Sequence, residues 1–134
     1  MINSKIIKIA NNTKYFGLKN KFTHKSLVKN SLCGDKIKIE LIASKTKINS
    51  MRYETESCIL CEASASLIAK KIINYSLNDL SKDIKNLKEI IKDNKTTFPV
   101  KFKEFKHLLK KKDMNRVNCV ILPLNAVIKA LKFN

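Results

Sequence analysis

The chain has 134 residues, 44% of them hydrophobic, with two glycines and two prolines. That length and composition suit one globular domain over 1–134 with a core of its own, and they exclude disorder and repeats. The net charge of +17 comes almost entirely from lysine, since arginine stands only at positions 52 and 116. Nucleic-acid readers lean on arginine for bidentate contacts to guanine and phosphate. The lysine excess therefore reads first as a solvated surface, with an acidic partner or nucleic acid as the other ways to use it. No apolar run approaches the ~20 residues that cross a bilayer, so no membrane role is expected. The opening "MINSKIIKIANN" has neither a long apolar stretch nor a small-residue cleavage site, and a cytoplasmic location is the expectation.

Residues 3–12 suit a short helix that turns Ile6, Ile7 and Ile9 partly inward, followed by a loop through "KYFGLKNKFTHKSLVKNS". From Lys36, "KIKIELI" alternates and puts Ile37, Ile39 and Leu41 on one face of a strand. A turn near "ASKTK" leads to "INSMRYETES", a second strand carrying Ile48, Met51, Tyr53 and Thr55. The alternation slips at Asn49 and Ser50, which predicts a bulge there.

The period then changes. "CILCEASASLIAKKIINY" spaces small and apolar residues as a helix does, with Ser57 as the expected N-cap and Cys58 in the first turn. A second helix over 79–93 carries Leu80, Ile84, Leu87 and Ile91 on one stripe. Pro99 breaks the chain before "KFKEFKHLLKKK", a short helix with Phe102, Phe105 and Leu109 inward. In "CVILPLNAVIKALKF", Pro123 is tolerable only near a helix start, which puts Cys119 at or just before that helix's N-terminus. Strands followed by helices give an α+β fold, a small sheet packed against helices.

The cysteines are Cys33, Cys58, Cys61 and Cys119. A helix N-terminus favours thiolate, the form that binds metal and attacks sulfur. In "SLCGDKI", one of the two glycines separates Cys33 from Asp35 and bends the chain so that both side chains can face one spot. Three thiolates and a carboxylate complete a tetrahedral set for zinc or iron. Spacing does not show that they converge: the intervals of 25 and 61 residues (58 − 33 and 119 − 58) match no zinc-finger pattern. On its own residues Asp35 serves equally well as a turn cap.

Three strings carry a resemblance. "LCGDKI", "SCILCEASAS" and "RVNCVIL" resemble the signatures of the IscU/SufU/NifU N-terminal family, over about residues 27–131. The resemblance implies a three-stranded, mainly antiparallel sheet with packed helices. It implies a non-enzymatic scaffold or sulfur acceptor for iron–sulfur cluster assembly, with Cys33, Asp35, Cys58 and Cys119 as metal or cluster ligands. The cargo would be iron, a transient [2Fe–2S] cluster or Zn2+. Cys33 or Cys119 would carry persulfide sulfur from a cysteine desulfurase, for delivery to downstream apo iron–sulfur proteins, as a monomer or a homodimer. Asn118 stands where the IscU branch has histidine, and Arg116 stands where the SufU branch has arginine, so the likeness leans to SufU. A zinc-bound sulfur acceptor is then as consistent as a cluster scaffold.

Two departures are visible. Ser57 replaces the family's glycine, and Cys61 is an additional cysteine one turn from Cys58. For Cys61, packing, ligation in place of Cys58 and resolution of a persulfide all stay open. Arg116, near the thiolates in sequence, is expected to help hold them ionised. Ala63, Ser64, Ala65 and Ser66 are expected to let their helix pack closely on the sheet. His107 is expected in solvent, as is His24 unless its loop folds near the site, and neither sits in a nucleophile–base context. A zinc-stabilised nucleic-acid-binding module is the reading from another class, though 7% aromatic content gives it few stacking platforms and no nucleic-acid partner is expected.

Overall fold

A computed structural model describes residues 4–30, 34–93, 97–109 and 114–133. In chain order it contains α1 (Ser4–Ala10), β1 (His24–Lys29), β2 (Lys36–Ala43), β3 (Ile48–Glu56), α2 (Ile59–Lys71), α3 (Leu77–Lys92), a 3₁₀ segment (Val100–Leu108) and α4 (Met114–Leu131). The three strands form one antiparallel sheet in the order β1-β2-β3.

The sheet's two faces do different work. Ile37, Ile39 and Leu41 of β2 lie opposite Thr55, Tyr53 and Met51 of β3, and all but the half-buried Thr55 are buried beneath α2 and α4. The alternate residues face the other way, as period two requires, and Glu40, Arg52 and Glu54 among them are charged. They hold down the loop before β1. Glu40 Oε1 accepts from the backbone N–H of Lys19 and Asn20 at 2.9 and 3.0 Å. Glu54 Oε2 accepts from Leu18 N–H at 3.0 Å. Arg52 donates to the carbonyls of Lys14, Phe16 and Gly17. A buried acid such as Glu40 is tolerable because it is hydrogen-bonded.

Several expectations shift in the structure. The predicted loop contains β1, which "HKSLVK" hides because none of its residues is fully buried. Tertiary contacts secure it instead: Ser26 Oγ donates to Ala126 O at 2.7 Å and Lys129 Nζ to Leu27 O at 2.9 Å. The expected bulge is present, since Ile42 pairs with Ser50 and Ala43 with Ile48, leaving Asn49 as the extra residue. The aromatic segment is a 3₁₀ helix kinked at Phe102, with Phe102, Phe105 and Leu109 buried as expected.

The last helix departs most. α4 begins at Met114, which puts Pro123 inside it and Cys119 in its second turn, away from the helix start. Proline supplies no N–H to the carbonyl four residues back, here that of Cys119. Ser64 Oγ donates to Val120 O at 2.7 Å in the same disturbed turn. Ser66 Oγ likewise reaches Asn12 O at 3.0 Å, just past α1. The small residues of α2 thus serve close approach to α4 and α1 as much as to the sheet, each serine finding a backbone acceptor.

Candidate metal centre

β2 and β3 pair from Lys36–Glu56 onward. That register puts Asp35, just before β2, beside Cys58, just after β3, although 23 residues separate them in the chain. The hairpin that delivers Asp35 is pinned at its base by Asn30 N–H to Asp35 O at 2.7 Å and Gly34 N–H to Asn30 O at 2.9 Å. Gly34 takes φ of +73°, a conformation that a Cβ would strain. The glycine in "CGD" therefore has a backbone reason to be there.

Cys58 is the N-cap of α2, one residue later than the predicted Ser57, with extended φ, ψ of −70° and 165°. Its own side chain makes no capping bond, and its backbone N–H donates to Asp35 Oδ1 at 3.3 Å. The Cys119 thiol donates to Asp35 Oδ2 at 3.3 Å. One carboxylate thus receives a helix-terminal N–H and a thiol on its two oxygens. Asp35 and Cys119 are buried and Cys58 is exposed, so the group opens to solvent on the Cys58 side. One ligand atom from each of Asp35, Cys58 and Cys119 lies within 4.8 Å of the others.

The electrostatics run against one expectation. Burial pushes the Cys119 thiol well above its ordinary range, and its hydrogen bonds to Cys58 and Asp35 push the same way. No helix N-terminus offsets this, because Cys119 sits a turn inside α4. Bare Cys119 is a protonated thiol at neutral pH, and a bound cation would have to displace its proton.

The remaining candidates separate. Cys33 lies outside the described residues. Cys61 is fully buried in the hydrophobic core, three residues after Cys58. Arg116 is half-buried, one turn before Cys119 on α4. His24 pairs with Leu41, five positions along β2 from Lys36, far from the cluster. His107 is not solvated as expected: it is half-buried with an inaccessible Nδ1, and lines a cleft of about 460 Å³ between α1, α2 and the 3₁₀ segment. What the sequence does not announce is that the Cys58 backbone N–H and the ladder register aim Asp35. Neither leaves a mark on residue identity.

The family described as NifU-like N terminal domain matches residues 1–132. Among solved structures, the chain is similar to the N-terminal part of a nitrogen-fixing NifU-like protein from Brucella abortus, at 21% identity and a TM-score of 0.86, covering 97% of this chain and 91% of that one. It is also similar to a candidate iron–sulfur cluster assembly scaffold protein for the SUF system from Fervidobacterium islandicum AW-1, at 20% identity and a TM-score of 0.84, covering 97% and 96%. These likenesses establish the shared three-stranded fold. No curated protein sequence gives a significant match. Among the described residues, no helix is long and apolar enough to cross a membrane.

Proposed function

This chain belongs to the NifU-like N-terminal domain family, and on that premise we propose that it accepts persulfide sulfur from a cysteine desulfurase and holds iron, a [2Fe–2S] cluster or zinc as cargo on Cys33, Asp35, Cys58 and Cys119. The observation that carries this is the mutual 4.8 Å limit among the Asp35, Cys58 and Cys119 ligand atoms. Ligands at 2.3 Å from a tetrahedral ion stand about 3.8 Å apart, so closing the set needs only small side-chain movements. Two peptide units separate Cys33 from Asp35, and that short link makes Cys33 the natural fourth donor.

The donor set suits transient holding. Thiolates bind zinc and iron firmly, whereas the Asp35 carboxylate is a harder, more labile partner for either metal. The open Cys58 side gives a partner access, while burial of Asp35 and Cys119 protects the cargo from water. Cys33 and Cys119 are the proposed persulfide carriers. Likeness to the SUF-system scaffold candidate, together with Asn118 and Arg116 flanking the last cysteine, favours the SufU-like version, with release to apo iron–sulfur proteins. The nucleic-acid reading loses weight, because Arg52 is occupied by three backbone carbonyls.

The test combines sulfur transfer with metal analysis. Wild-type protein should stimulate a cysteine desulfurase and bind zinc, or iron with sulfide, in fixed stoichiometry under anaerobic conditions. Cys33→Ser and Cys119→Ser should abolish stimulation, and Cys58→Ser and Asp35→Ala should lower metal occupancy. Undiminished stimulation in both cysteine variants would remove the sulfur-acceptor role, and unchanged occupancy in all four would remove the metal site.

A further inference from the structure

The first turn of α2 presents two cysteines with opposite environments. Cys58 is the exposed N-cap, and Cys61, three residues on, is completely buried. Helical side chains lean toward the N-terminus, so a thiol at position 61 is directed back at the turn that holds residue 58. Residues spaced this way have Cβ atoms about 5–6 Å apart. A disulfide needs about 3.5–4.5 Å. The remaining gap falls on Cys58, whose φ, ψ are extended at the helix boundary. Its carbonyl accepts the first helical bond from Glu62 N–H at 3.2 Å, and a change in its φ moves the side chain with that bond kept. Neither cysteine is in a disulfide in the structure.

We propose that Cys61 is a resolving thiol, which reduces a persulfide on Cys58 to sulfide by forming a Cys58–Cys61 disulfide. The idea rests on the sulfur-acceptor reading above. Sulfur that arrives on Cys119 can reach Cys58 by thiol–persulfide exchange, since the two Sγ atoms belong to the same 4.8 Å group. The Cys61 sulfur then attacks Cys58 Sγ and gives up its proton as the new bond forms. The bond from that Sγ to the terminal sulfur breaks, and the terminal sulfur leaves with the electron pair and takes up the proton given up by Cys61. One persulfide and one thiol become one disulfide and one hydrogen sulfide. The two cysteine sulfurs supply the two electrons that the sulfane sulfur gains. A low-molecular-weight thiol reductant returns the disulfide to the dithiol state.

The arrangement gives the extra cysteine a use that packing alone does not require. A core position is filled as well by valine or alanine, whereas only a thiol can complete this exchange. It also couples sulfide release to the site where the metal would sit, because Cys58 belongs to both groups.

The test loads the full chain with inorganic polysulfide, removes the excess, and follows free sulfide with mapping of each cysteine by mass spectrometry. Wild type should release one sulfide for each Cys58–Cys61 disulfide formed. In Cys61→Ala and Cys61→Val, the latter keeping the buried volume filled, Cys58 should retain its extra sulfur. Sulfide release should fall on the order of tenfold or more, because an intramolecular attack is lost. Equal persistence of the Cys58 persulfide in wild type and both variants would overturn the proposal and leave the acceptor reading standing. So would a Cys58–Cys119 disulfide in place of Cys58–Cys61. If no cysteine in any of the three proteins gains sulfur, the acceptor reading falls and this proposal falls with it.

Discussion

At the Lys36–Glu56 end of the sheet, a carboxylate and a thiol are buried beside an exposed thiol, whereas α3 and the 3₁₀ segment bury side chains that are all apolar. In the second region Leu80, Ile84, Leu87 and Ile91 form one stripe of α3, with lysines on its outer face. Phe102 stacks on Tyr75 with ring centroids 5.8 Å apart and meets Phe105 edge-on at 6.0 Å. Apolar burial of this kind stabilises the fold directly. Burial of Asp35 does the opposite unless its oxygens are satisfied, and one of them is satisfied by the Cys119 thiol. The polar, solvent-open group lies in one region and a wholly apolar part of the core in the other, and the two should respond separately to perturbation.

The largest separation is expected from Phe102→Ala. Removing this fully buried ring should cost about 3–5 kcal/mol in denaturant titration, while the protein that remains folded keeps its metal affinity. A parallel loss of metal affinity would mean that the two regions are one mechanical unit.

A smaller effect, confined to the site, is expected from pH. The Cys119 thiol is pushed above its ordinary range by burial, so it keeps its proton through neutral pH in the metal-free protein. Metal binding must release that proton, and protons compete more as pH falls. Apparent affinity for zinc should therefore rise with pH, by about tenfold per unit for each proton displaced. Zinc titrations at several pH values read the slope directly. A flat profile would place Cys119 outside the ligand set, and no such slope is expected for Phe102→Ala stability.

The smallest effect belongs to the cap of α3. Ser76 Oγ accepts from Asp79 N–H at 3.1 Å, so Ser76→Ala should lower the melting temperature through a loss of about 1 kcal/mol, with zinc binding unchanged.

The sequence readings failed where a local rule met a tertiary contact. Proline is costly inside a helix, which by local rule places Pro123 near a helix start, yet α4 runs through it with Ser64 donating to Val120 in the disturbed turn. β1 is not legible in the sequence because its alternation is weak, and the bonds to Ala126 and Lys129 that secure it come from about a hundred residues away. The helix-start argument for a low Cys119 pKa failed for the same reason as the Pro123 boundary. By contrast, the bulge at Asn49 and the α3 stripe were legible, because each is written in the spacing of neighbouring residues.

Residue order alone determined β2, β3, α2 and α3 and which side chains can bind metal, since strand and helix periods, glycine placement and thiol chemistry are local properties. It also determined that Cys61 lies one turn from Cys58. Only the tertiary structure decided that Asp35, Cys58 and Cys119 meet, because that depends on the Lys36–Glu56 register and on how α4 crosses the sheet. It likewise decided which thiol is open and which is buried, and burial is what makes Cys119 hold its proton tightly.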